Sequence, residues 1–180
     1  MLPIMQYVLP DVAVDTSRID LCASAPRDPL IRLALLIHGS GRAVDVSHSL
    51  RLSNEQQRRL TRLTSPLPEG LPASPVDARR LLARLSEDTE AAVTVHSAVS
   101  GLDPSAPLSL IKTERDSDPC LSLSRLAIRG NELIGLGIAC GRQVGEILEK
   151  LLEAVIEDPS LNESSTLISL ARELSARTEE

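Results

Sequence analysis

The sequence predicts an all-α protein, an irregular bundle of roughly eight helices, on three observations. First, the chain contains no Phe, no Trp and a single Tyr. Its core must therefore be built from Leu, Ile, Val and Ala, which suits helices. Second, leucines recur at i, i+3, i+4 spacing along most of the chain, while the strict alternation of a half-buried strand does not occur. Third, helix-start punctuation recurs, with Ser, Asp or Asn set just before Pro or an acidic residue.

In chain order, residues 1–15 (MLPIMQYVLPDVAVD) hold two prolines among short apolar groups and read as extended or turn-rich. The start Met1-Leu2-Pro3-Ile4 has no basic cluster, so no signal peptide is expected. A helix is expected from Thr16 to about Ala25. Another starts after Asp28 with Pro29 as its first residue, burying Leu30, Leu33, Ala34 and Ile37 before His38-Gly39-Ser40-Gly41 ends it. A short helix follows near Ala43 to Leu50. Ser53-Asn54-Glu55-Gln56 has capping-box form and opens a helix with Leu60 and Leu63 inward. Ser65 to Pro75 holds four prolines and a glycine and is the natural internal boundary. At 180 residues the chain is one or two domains. The expected division is a helical part over 1–64, the proline-rich loop 65–75 and a second helical part over 76–180.

Ser74-Pro75-Val76-Asp77 opens the next helix, with Ala78, Leu81, Leu82 and Leu85 inward and Arg79, Arg80 and Arg84 outward. A weaker, β-branched helix spans Glu87 to Ser100, another Ala106 to Thr113, and Asp116 to Cys120 is loop. From Val144 the positions Ile147, Leu148, Leu151, Leu152, Val155 and Ile156 form one stripe, stopped at Asp158-Pro159. Leu148, Leu151, Leu152 and Val155 are expected to pack against Leu167, Leu170 and Leu174 of a final helix capped by Asn162. Gly130 and Gly141 are read as tight-turn positions. Gly145, inside a helix, costs roughly 1 kcal/mol against Ala, which close approach of another backbone would explain.

Gly130, Glu132, Leu133, Leu136, Gly137, Gly141, Val144, Gly145 and Leu148 follow a glycine–leucine pattern of the C-terminal region of class II tRNA nucleotidyltransferases. These are the CCA-adding enzymes and bacterial poly(A) polymerases. Leu50-Arg51-Leu52-Ser53-Asn54-Glu55 and the upstream Arg32 to Gly39 (RLALLIHG) are similar to the same family. The resemblance extends over about residues 8–177. It departs at Asn131 and Glu132, and at Ala139-Cys140-Gly141-Arg142, where the family carries a proline turn. A cation at that helix start opposes the dipole, so either the turn is relaxed or Arg142 has a partner.

The resemblance implies the neck, body and tail of such an enzyme, which hold tRNA for 3′-end processing by a catalytic head. The head's glycine-rich strand–loop and paired D-x-D carboxylates have no counterpart in this sequence. Mg²⁺ and CTP or ATP would therefore belong to a head supplied in cis, in a longer parent, or in trans. Gly39-Ser40 with Asp45 lacks a second aspartate. Arg79-Arg80-Leu81 is not the family's R-R-D, and Glu87-Asp88 is followed by Ala91 where the nucleotide-reading motif needs Arg. His38, His48 and His96 lack ligand spacing, and no metal site or cofactor is expected.

The net charge of −6 divides unevenly along the chain. Residues 27–84 carry ten arginines against five acids, whereas residues 85–180 carry eight basic and seventeen acidic side chains. An arginine-only basic segment can hold A-form RNA through phosphates and 2′-hydroxyls without aromatic platforms. The candidate RNA-binding residues are Arg51, Arg58, Arg59, Arg62, Arg79, Arg80 and Arg84, with tRNA as the partner. The competing expectation is a helical protein-interaction module, derived from the same family, that no longer binds RNA. Cys22, Cys120 and Cys140 show no metal spacing and read as buried free thiols in a reducing cytoplasm. No apolar run is long enough to span a membrane.

Overall fold

The computed structural model describes residues 16–138 and 141–176. They form helices α1 (Thr16–Ser24), α2 (Pro29–Ile37), α3 (Ala43–Ser49), α4 (Asn54–Thr64), α5 (Pro75–Leu85), α6 (Thr89–Ser100), α7 (Ser105–Asp116), α8 (Gly130–Gly135), α9 (Arg142–Glu157) and α10 (Ser164–Ala176). Single 3₁₀ turns lie at Ser86–Asp88, Leu123–Arg125 and Pro159–Leu161. No strand occurs among the described residues, and the fold is all-α as expected. The expected extended start and the Cys140 thiol lie outside the described residues.

The chain forms two compact units. One comprises the described residues up to Ala73 together with Leu85–Lys112, and the other Ser74–Arg84 with the residues from Thr113 onward. In the first unit α2 packs against α1, α4 and α6, and α4 also packs on α3 and α6. Local chemistry sets where these helices begin. Asp28 accepts the N–H groups of Leu30 at 2.8 Å and Ile31 at 3.3 Å, with Pro29 as the first helical residue. Ser53 and Gln56 form the full reciprocal capping box of α4, with Ser53 N donating to Gln56 Oε1 at 2.9 Å and Gln56 N to Ser53 Oγ at 3.2 Å. Leu30, Leu35, Ile37, Leu60, Leu63, Val93 and Val95 fill the core of this unit.

The second unit is built on α9. Leu133, Ile147, Leu151, Val155, Leu167 and Ala171 form its centre, and Leu148, Leu152, Leu170 and Leu174 pack half-buried around it. The expected pairing of the last two helices is thus present. Asp158 ends α9 as expected, and Pro159 begins a 3₁₀ turn. Ser74 and Asp77 exchange capping bonds at the start of α5, at 3.2 and 2.9 Å.

Asn162 does not cap the last helix, which begins at Ser164. Its side chain instead accepts the Ala127 N–H at 2.8 Å and donates to the Arg125 carbonyl at 3.2 Å, pinning a loop more than thirty residues upstream. Arg142 has a partner, Glu146 one turn on at 3.0 Å, but its guanidinium is 94% exposed and the pair contributes little.

The glycines divide differently from the sequence reading. Gly141 adopts φ +54°, a conformation closed to most side chains. Gly145 is exposed, and an added Cβ would meet nothing within 4 Å, so no backbone approaches it. The close approach is at Gly130, where a Cβ would lie 2.9 Å from Val144 Cγ1. Val144 is β-branched and stiff on its helix, so it cannot easily yield. Gly145→Ala is therefore expected to stabilise the protein by about 0.5–1 kcal/mol. Gly130→Ala is expected to cost about 1–3 kcal/mol through overpacking. Urea unfolding of the two variants checks the pair, and equal shifts in the same direction would refute this assignment of the two glycines.

Candidate nucleic-acid interface

Helical geometry sorts the seven candidate arginines. At 3.6 residues per turn, Arg58 lies about 140–160° around α4 from the buried Leu60 and Leu63, while Arg59 lies only about 40° from Leu63. The structure follows that rotation. Arg58 is exposed and makes no ion pair or hydrogen bond among the described residues. Arg59 reaches across the first unit, donating through Nε to Asp88 Oδ1 at 2.9 Å and through Nη2 to Asp28 Oδ2 at 2.7 Å. Arg62 grips the other Asp88 oxygen through Nε at 2.7 Å. Asp88, whose side chain is 4% exposed, thus joins α4 to the 3₁₀ turn before α6. Burial alone would raise the Asp28 carboxyl, but the Arg59 guanidinium and two helix-start N–H groups outweigh it and hold it below its usual value.

In the second unit the outward placement expected for Arg79 is corrected. Arg79 is buried, 7% exposed. It donates through Nε to the Ile156 carbonyl at 2.6 Å, through Nη2 to the Glu157 carbonyl at 2.9 Å, and through Nη1 to Glu114 at 2.7 Å. It closes the C-terminus of α9 from a distant helix. Rotation gives the reason, since Arg79 lies about 60° from the inward Leu82, on the flank of the apolar stripe. Arg80 is half-buried and pairs with Glu153 and Glu157, each at 2.7 Å through its hydrogen bonds. Arg84 is exposed and, among the described residues, forms no ion pair.

Arg51 is exposed and has φ +53°, a left-handed conformation that non-glycine residues adopt at a cost of about 1–3 kcal/mol. Its side chain has no hydrogen bond or ion pair among the described residues. Three residues on, α4 presents an open groove of about 510 Å³ lined by Asn54, Gln57, Arg58, Thr61 and Arg62, with no carboxylate in the lining. Of the seven arginines, then, Arg51, Arg58 and Arg84 face solvent with no ion pair among the described residues, and Arg59, Arg62, Arg79 and Arg80 bond to acceptors within the fold.

The remaining polar clusters bear on stability. His38 and His96 meet edge to face, 4.6 Å between ring centres, and His96 Nε2 lies 3.0 Å from the Ser65 carbonyl. Burial holds both imidazoles below their usual pKa, and the charge of Arg18 adds to the effect at His38. Cys120 is buried and Cys22 half-buried, both are free, and burial raises both thiols. Among the described residues no group of three or more His, Cys, Asp or Glu could hold a metal ion. No described helix is long and apolar enough to cross a membrane.

The first unit thus sets the exposed Arg58 in a groove lined by amides and guanidinium groups. Residues 33–171 match the family of tRNA nucleotidyltransferase domain 2, which is 139 of the 180 residues, and the chain belongs to that family. No curated protein and no solved structure matches it.

Proposed function

We propose that this chain is the RNA-holding portion of a tRNA nucleotidyltransferase of the CCA-adding or poly(A) polymerase type, acting in the cytoplasm. It grips tRNA by shape and phosphate contacts while a catalytic head, in cis or in trans, extends the 3′ end with Mg²⁺ and CTP or ATP. The observation that carries this reading is the set of solvent-facing arginines Arg51, Arg58 and Arg84, unpaired among the described residues, within the basic segment of a family member. Guanidinium groups left free in this way are suited to phosphates, whereas those of Arg59 and Arg79 are engaged within the fold.

The test is a salt titration of labelled tRNA binding to the wild type and to the Arg51→Ala/Arg58→Ala/Arg84→Ala triple variant. The slope of log affinity against log salt should fall by about three, roughly one per lost phosphate contact. Replacing Arg58, Arg59 and Arg62 together would confound binding with stability, because it also strips the buried Asp88 of Arg59 and Arg62. Wild-type binding by the new triple variant would leave the basic segment as a solvated face and favour a protein-interaction module instead.

A further inference from the structure

Three helices of the chain close on one pair of backbone bonds. After α6, Gly101 N donates to Ala98 O at 3.3 Å and Leu102 N to Ser97 O at 2.9 Å. After α8, Gly137 N donates to Ile134 O at 3.0 Å and Ile138 N to Leu133 O at 3.0 Å. After α3, Arg51 N donates to His48 O at 3.1 Å and Leu52 N to Ser47 O at 2.9 Å. The closure needs a left-handed residue at its turning point, which Gly101 supplies at φ +67° and Gly137 at φ +65°. At the third site the chain places arginine, at φ +53°. Glycine would make the same turn without the steric penalty, so nothing in the backbone calls for a side chain there.

Nor does packing call for it. The Arg51 side chain is exposed and has no partner among the described residues, while its neighbours Leu50 and Leu52 line a groove in which Leu33 and Leu36 sit beside charged residues such as Asp28, Glu55 and Arg59. The guanidinium between these leucines bonds to nothing among the described residues. The next turn carries the donor groove. Arg58 there is unpaired, Asn54 and Gln57 contribute amides, and Arg62 is held by Asp88 through two of its three nitrogens.

We propose that Arg51 and the groove of Asn54, Gln57 and Arg58 form one seat for the sugar–phosphate backbone of RNA, with Arg51 and Arg58 each taking a phosphate. The amides then donate to the phosphate oxygens between them, and donate to or accept from the 2′-hydroxyls. This deepens the RNA-holding reading and rests on it. It assigns the left-handed arginine a binding role held against a stability penalty.

The experiment pairs two readouts on the full chain, a thermal melt and labelled-tRNA affinity, for Arg51→Gly, Arg58→Ala and the exposed Arg172→Ala. Arg51→Gly should raise Tm by a few degrees while weakening tRNA binding roughly tenfold, with a loss of about one unit of salt slope. Arg58→Ala should weaken binding similarly without raising Tm, and Arg172→Ala should do neither. A double-stranded RNA oligonucleotide should compete for the seat, whereas millimolar inorganic phosphate or ATP should not. Arg51→Gly binding tRNA as well as the wild type overturns the assignment, as does ATP displacing tRNA in an Arg51-dependent way. If the wild type binds no tRNA at all, the functional reading itself falls; if it binds and only the Arg51 and Arg58 variants are silent, this inference alone falls.

Discussion

Arg79→Ala is expected to lower the free energy of unfolding by about 3–5 kcal/mol, the range for removing one partner of a buried pair. The side chain is buried and its three bonds go to the Ile156 carbonyl, the Glu157 carbonyl and the Glu114 carboxylate. Alanine would strand Glu114, whose side chain is 13% exposed, with no cation beside it. It would also return two carbonyls at the end of α9 to the unsatisfied state of an uncapped terminus, and remove a cation from the negative end of the helix dipole. Lysine should recover only part of the loss, because one ammonium cannot meet three acceptors in a fixed fork. Arg80→Ala is the internal control. Arg80 pairs with Glu153 and Glu157, whose side chains are 51% and 57% exposed, and replacing it should cost at most about 1 kcal/mol. Urea unfolding of the two alanine variants decides the matter, and equal costs would show that Arg79 is no cap.

Asp88→Ala should cost about 2–4 kcal/mol, somewhat less, because the two arginines it abandons are partly exposed and can recover water. Asp88 engages Arg59 and Arg62 from the 3₁₀ turn before α6, while Arg58, which lines the same groove as Arg62, has no such partner among the described residues. The pH dependence of the network has a definite sign. Asp28 has its pKa lowered on folding, so its contribution is fully present above the ordinary carboxylate value of about 4 and is lost as pH falls from there through the lower folded-state value. Unfolding of wild type and Asp88→Ala between pH 7 and pH 3 would measure both effects. A stability of Asp88→Ala equal to wild type at neutral pH would remove the network from the account.

Asp88 also shows how local patterns mislead. Glu87-Asp88 looks like the beginning of a nucleotide-reading motif that lacks its arginine. Its carboxylate has its arginines after all, Arg59 and Arg62, brought from α4 by the fold rather than from three residues along the chain. Asn162 is similar, for it has the composition of a cap and the geometry of a loop clamp.

By itself the sequence determined the helical class, most helix starts and stops, and the leucine seam between α9 and α10. Those features arise within one or two turns of chain: Asp28 beside Leu30, Ser53 beside Gln56, the 3.6-residue stripe of Ile147 to Val155. It also located the segment in which the unpaired arginines lie. Only the tertiary structure decided which arginines those are. Arg59 and Arg79 meet partners 29 and 77 residues away, and no spacing rule spans such distances. It decided, too, that Gly130 and not Gly145 is the crowded glycine, because the crowding atom belongs to the next helix. Helix periodicity measures angle around one axis. Which arginines on that axis stay free for a partner depends on the carboxylates that distant segments bring to it.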